Sequence, residues 1–213
     1  MAKACLTDRK FGIVFACWIF LVTLGLVWLW GYASRPAAPA SAPERWPQAS
    51  GLTLSSSLPT VIMFGHPHCT CTRASLNEYS RLMSDVGGKL SGYFVLIQPD
   101  GMPDDWAETD LLERAQTIPG VSVLVDQGRA EADRFGAVAS GHVVVYNPAG
   151  ELLFSGGITP SRAHEGDSFG RQRILAAVAG LHPDRPPTAP TFGCELHETD
   201  AAHEVGFFDV SFR

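Results

Sequence analysis

Charge is scarce in this sequence. Of 213 residues only 18% are Asp, Glu, Lys or Arg, and the 22 acidic side chains outnumber the 16 basic ones for a formal net charge of -6. That balance excludes a surface built to track nucleic-acid phosphates. Cysteine is sparse too, five in the whole chain, far below the density of a small domain stapled by disulfides. No internal repeat is present. Apolar residues, by contrast, make up 46%, which excludes a wholly disordered chain. The mean hydropathy of +0.07 is high for a water-soluble protein, and the length suits one domain with appendages.

Part of that hydropathy is concentrated near the N-terminus. From Phe11 to Tyr32 there is no charged residue, and only Gly12, Thr23, Gly25 and Gly31 interrupt the apolar run. At a rise of ~1.5 Å per residue such a helix reaches ~33 Å, against a hydrocarbon core of ~30 Å. Lys3, Arg9 and Lys10 precede it, and Trp28, Trp30 and Tyr32 cluster at its far end. Basic flank and aromatic belt together predict a cytoplasmic N-terminus over residues 1–10, a transmembrane anchor over 11–32 and an exported remainder. A cleaved signal peptide cut near Ala33 is the alternative, although the run exceeds the ~7–15 residues of a typical signal core. Cys17 reads as an ordinary membrane residue and Cys5 as a reduced cytoplasmic thiol. Residues 33–57, with Pro36, Pro39, Pro43 and Pro47 among Ala and Ser, are expected to be an extended spacer.

The exported part, residues 58–181, alternates short apolar runs with helical periodicity. Thr60 to Phe64 reads as a strand buried on both faces. Leu76, Tyr79, Leu82, Met83 and Val86 then recur at helical spacing until Gly87-Gly88, and Tyr93 to Ile97 is a second apolar strand. A helix is predicted from Asp105 to Thr117, a strand from Val121 to Val125 and a short helix from Ala130 to Phe135. An antiparallel hairpin follows, His142 to Tyr146 and Glu151 to Phe154 around Asn147-Pro148-Ala149-Gly150, and a last helix from Gln172 to Leu181. The order β-α-β-α-β-α-β-β-α implies an α/β fold, a mixed sheet with helices on both faces. Residues 182–213 form a Pro-rich tail carrying Cys194.

Cys69-Thr70-Cys71 follows the first strand and opens the first helix of this domain. A thiol there feels the positive end of the helix dipole, which favours the nucleophilic thiolate. Residues i and i+2 lie about 200° apart around a helix but on one side of an extended chain, so the sulfurs can meet only if Cys69 lies outside the helix. His66 and His68 alternate just before it. Two thiols with two imidazoles within six residues are also a candidate soft-metal set, suited to Cu(I) or Zn(II). Cys194, in the tail, is a candidate resolving thiol, a third metal ligand or an idle residue. The apolar tail residues Phe192, Leu196, Phe207, Phe208 and Phe212 suggest that the tail docks on the domain and brings Cys194 near Cys69. The polar loop from Ser161 to Arg171 is a candidate rim, or a solvated connection. Its Gly166-Asp167-Ser168 superficially matches a serine-protease nucleophile motif, but nothing else in the pattern supports that chemistry.

Strand, loop, Cys69 and helix in this order resemble the thioredoxin-like superfamily over Leu52 to Leu181. Phe64 stands five residues before Cys69, as a strand-end residue stands before the nucleophile in thioredoxins. The resemblance implies that Cys69 attacks, with Cys71 one residue before the usual resolving position, which Thr72 holds. Asp126 to Gly136 and the hairpin are similar to the peroxiredoxin and TlpA-type segment. The cis-Pro position of that family falls at Gly141, leaving Ser140-Gly141-His142, with His66, Pro67 and His68, as the expected active-site wall. The usual support for backbone pairing with an extended substrate is thereby removed. Phe64-Gly65-His66-Pro67-His68-Cys69 also resembles the start of the Sco copper-delivery motif, but Arg73 stands at the second Cys position of that family and Ala139 at its His position. The whole pattern is similar to RedB-type proteins. These resemblances imply a thiol-disulfide oxidoreductase held at the bacterial inner membrane, facing the periplasm and acting on exported protein thiols or disulfides. Cys69, Cys71 and Cys194 would carry the chemistry, with no cofactor required. Two alternatives stay open: a copper protein using Cys69, Cys71, His66, His68 and Cys194, and a catalytically idle binding module.

Overall fold

In the computed structural model, which describes residues 2–181 and 186–196, with side chains from Lys10 onward, the chain forms two units. The first, up to Arg35, is a single helix, α1 (Ala2–Ala33). Its stretch Lys10–Ala33 is long and apolar enough, by length and composition, to cross a membrane. The Cys5 side chain lies outside the described residues. The second unit begins at Pro36.

In the second unit every residue of β1 (Thr60–Gly65) is buried. Val61 and Met63 join one apolar cluster and Ile62 and Phe64 the other, as the two-residue period of a strand requires. A turn then starts α2 (Thr70–Val86), whose Leu76, Tyr79, Leu82, Met83 and Val86 face the first cluster. Gly87 ends the helix in the left-handed region at φ 56°, a conformation that costs glycine least. After β2 (Ser91–Gln98) come α3 (Asp110–Gln116), β3 (Val121–Gln127) and α4 (Ala130–Arg134). The Asp126 carboxylate at the end of β3 accepts from the backbone N–H groups of Glu131 and Ala132 at 2.9 and 2.8 Å, and so starts α4. The hairpin β4 (His142–Tyr146) and β5 (Leu152–Gly157) precedes α5 (Phe169–Val178). Ser168 is the N-cap of α5 and accepts from Arg171 N, a structural task for the serine of the protease-like tripeptide.

The six-stranded sheet has the order β3-β2-β1-β4-β5-β6, the last strand being Thr188–Ala189. β1, β2 and β3 run parallel, β4 is antiparallel to β1, and β5 is antiparallel to β4. The mixed sheet with flanking helices and the predicted order of elements are both present, with β6 as an addition from the tail.

Three readings need correction. The helix expected from Asp105 begins at Asp110. Residues 103–108 make turns instead, with Trp106 N donating to Pro103 O and Glu108 N to Asp105 O, and extended Thr109 is the N-cap. The final helix lies three residues earlier than expected, because Ser168 caps it and Gly180, at φ 82°, follows its end. The spacer over 33–57 does not stand free of the domain. Ala37 N donates to Thr191 O, Trp46 N to Gly150 O, and Leu152 N to Glu44 O. The Trp46 ring packs edge-on against Phe135 and Tyr146 at 5.1 and 5.4 Å, Tyr146 Oη donates to Pro43 O at 2.8 Å, and Leu52 is buried. Proline removes a donor but leaves its carbonyl, so a Pro-rich strip can still bond a domain through its acceptors.

Candidate functional site

The site is built where β1 gives way to α2. Cys69 occupies the N-cap of α2 in extended geometry, φ -100° and ψ 127°, so it lies outside the helix while Cys71 sits in the first turn. The intervening loop is held from both sides. His66 N donates to Thr72 Oγ1 and to Ser140 Oγ, each at 3.1 Å, and Thr72 Oγ1 in turn donates to His66 O at 2.8 Å. Cys69 N closes the turn onto His66 O at 3.2 Å. Gly65 leaves room for this, since a Cβ there would meet the Thr72 methyl and the Phe94 ring. Gly141 N donates to Phe64 O at 2.8 Å. At φ 81°, with Ser75 Oγ where a Cβ would be, position 141 is suited to glycine for two independent reasons.

Cys194 returns from the far end of the chain to the same place. Its sulfur lies 3.0 Å from that of Cys69, and the sulfurs of Cys69, Cys71 and Cys194 all lie within 4.8 Å of one another. All three are free thiols. The tail is pinned there by its backbone: Ser140 N donates to Cys194 O at 2.8 Å, Leu196 N to Val138 O at 2.9 Å, and Ala139 and Glu195 form an antiparallel bridge. Leu196 is buried in the second apolar cluster, and Arg162 Nη1 donates to Gly193 O at 2.8 Å. Gly193 presses on the Ser140 backbone too closely for any Cβ. Phe207, Phe208 and Phe212, also expected to dock the tail, lie outside the described residues.

Within the cluster the charge belongs on Cys69. Hydrogen bonds from Cys194 and then Cys71 hold its thiol far below the ordinary range, against the opposing effect of burial. Cys194 is pushed up by its bonds to Cys69 and Cys71 and by burial. For Cys71 the bond with Cys194 pulls down, but the bond to Cys69, burial and the Cys69 charge together push it up. The arrangement therefore favours one thiolate solvated by two thiols.

The wall residues divide. Ser140 bonds the loop at His66, and Gly141 bonds the end of β1 at Phe64 and abuts Ser75 of α2. His66 and His68 turn toward Trp106 rather than joining the sulfurs. Their ring centroids lie 5.1 and 5.0 Å from it, and His68 Nε2 lies 3.0 Å from Trp106 O. The sulfur group contains no imidazole among the described residues, so the candidate four-ligand set of two Cys and two His is not assembled. His142 is fully buried between Ser155 Oγ at 3.2 Å and Thr191 Oγ1 at 3.4 Å; burial lowers its pKa to about 4. Beside Cys69 a cleft of about 210 Å³ is lined by Pro67, His68, Thr70, Arg73 and Thr109.

Two contributors were not singled out in the sequence for the roles they take. Trp106 sits in an acidic turn without periodicity, and a lone tryptophan after Pro103-Asp104-Asp105 was the only signal. Ala163, a non-glycine residue at φ 54°, has its backbone close enough to Cys71 to pull that thiol's pKa down slightly, which places the polar loop beside the cysteines.

No family model and no curated protein matches the sequence. Among solved structures, an uncharacterized conserved protein from Geobacillus kaustophilus aligns over 80% of this chain and 94% of its own, with 20% identity and a TM-score of 0.55. A hypothetical protein from Sinorhizobium meliloti 1021 aligns over 78% and 96%, with 16% identity and a TM-score of 0.57. A secreted Mycobacterium tuberculosis disulfide oxidoreductase aligns more loosely, over 60% and 84%, with 15% identity and a TM-score of 0.41. With three parallel strands, a terminal antiparallel hairpin and a cysteine at the β1–α2 junction, the fold of this chain is thioredoxin-like.

Proposed function

We propose that this protein is a thiol-disulfide oxidoreductase tethered by α1 to the bacterial inner membrane, with its domain in the periplasm. The observation that carries the reading is the extended N-cap Cys69, whose sulfur has two other sulfurs within 4.8 Å. The Cys69 thiolate attacks one sulfur of a partner disulfide. A bond forms between Cys69 and that sulfur, and the other partner sulfur leaves as a thiolate that takes up a proton. The Cys194 thiol then loses its proton and attacks Cys69 Sγ, releasing the second partner thiol and leaving a Cys69–Cys194 disulfide. Two electrons have passed to the partner; run in reverse, the same steps oxidise it. Cys194 is the better placed resolving thiol, because its sulfur is already 3.0 Å from that of Cys69 and a bridge to Cys71 would close over a single residue. The basic residues Lys3, Arg9 and Lys10 in the N-terminal part of α1, the apolar length that follows them and the aromatic residues at its end support the tether and its orientation. Exported proteins carrying disulfides or paired thiols are the corresponding partners.

The test uses the reduced full-length protein in detergent with a disulfide-bonded model peptide. Exchange is expected with the natural sequence, and a trapped Cys69–peptide mixed disulfide with Cys194→Ser. Exchange no faster with the natural sequence than with Cys69→Ala overturns the reading in favour of an idle binding module.

A further inference from the structure

We propose that Cys69, Cys71 and Cys194 also form a three-coordinate site for one soft monovalent cation of the Cu(I) class. A cation about 2.3 Å from each of three sulfurs sits in a triangle with sides of about 4 Å. The three sulfurs lie within 4.8 Å of one another, with one side at 3.0 Å, so side-chain rotation alone can open or close the triangle to that size.

The supports of the triangle are independent of any bond between the sulfurs. Cys69 is placed by the loop that Thr72 and Ser140 hold, Cys71 by the first turn of α2, and Cys194 by its backbone pairing with Val138 to Ser140 and by the Arg162 bond to Gly193. Such fixed donors are what a metal site needs before the metal arrives.

The donor count selects the ion. Among the described residues no carboxylate or imidazole belongs to the sulfur group. Structural zinc closes with four protein ligands, whereas thiolates alone, in a low coordination number, suit Cu(I). Binding displaces the thiol protons and leaves the oxidation state of the ion unchanged, so no electron donor or acceptor is called for. The site does not rest on disulfide exchange; it needs only the same thiols reduced, and a Cys69–Cys194 bridge removes two of its three donors.

The experiment is a titration of the reduced, full-length protein in detergent with Cu(I) under anaerobic conditions, against a competing chromogenic chelator. One ion per chain is expected, with X-ray absorption showing sulfur alone in the first shell. Cys71→Ser and Cys194→Ser are each expected to weaken binding more than about tenfold, while their far-UV spectra stay native. Protein oxidised to the Cys69–Cys194 bridge should hold no ion. Failure to retain one ion per chain, nitrogen in the first shell, equal retention of Zn(II), or unchanged affinity in Cys194→Ser overturns the site. Copper binding without disulfide exchange would sink the oxidoreductase alone, and exchange without copper binding would sink this site alone.

Discussion

The two faces of the sheet are covered by different means. On one, α2, α3 and α5 present apolar residues at helical spacing to Val61, Met63, Phe94 and Phe154. On the other, only the five-residue α4 is helical. The rest of that cover is irregular: Trp46, Leu52 and Leu54 from the Pro-rich segment, and Leu196 from the tail. Regular cover announces itself through periodicity. Irregular cover does not, because isolated apolar residues in an extended strip have no repeat to detect. The functional cluster depends on the second kind, since the tail strip that supplies Leu196 also supplies Cys194.

Three measurements sharpen that contrast. On the regular face, Phe94→Ala removes a fully buried ring and is expected to cost about 4 kcal/mol in denaturant unfolding; a cost below about 1 kcal/mol would mean that this face is not a packed core. The next effect belongs to the face where the tail docks. His142 is buried with a pKa lowered to about 4, below its ordinary value, so the unfolded chain takes up this proton first as pH falls. Its contribution is complete above about pH 6.5 and is lost as pH drops toward 4, on the order of 3 kcal/mol in all. Thermal melts at pH 7 and 4.5 should differ by more for the natural protein than for His142→Gln, and equal differences would break the assignment. The smallest effect separates a packed strip from a free spacer. Trp46→Ala is expected to cost about 2 kcal/mol through its lost contacts with Phe135 and Tyr146, whereas a free spacer residue would fall within about 0.5 kcal/mol.

Much of the fold was legible in advance. Val61 to Phe64 and Tyr93 to Ile97 are continuous apolar runs of strand length, and the Leu76 to Val86 pattern fits one helix face. The spacing of Cys69 and Cys71 set the condition that Cys69 lie outside the helix if the two sulfurs are to meet, and Cys69 is extended at the N-cap. The start of α3 was misplaced because Asp105 and Glu108 satisfy a helix-start pattern that turns bonded to Pro103 and Asp105 use instead. His66 and His68 share a side in extended chain, but that side is decided by Trp106, forty residues away in sequence. Nothing local to Pro36, Pro43 or Trp46 indicates which surface they will cover, so the strip read as a spacer.

The sequence by itself determined the uncharged run from Phe11 to Tyr32 within α1, the alternation of strands and helices, and a thiol at the helix start after β1, because each is a property of neighbouring residues. Only the tertiary structure decided that Cys194 closes on Cys69, that the imidazoles face away, and that Trp46 and Leu196 complete the core. These outcomes depend on contacts more than thirty residues apart in the chain. Side-chain chemistry says what such a contact can do once formed; backbone pairing and burial across the whole domain decide whether it forms.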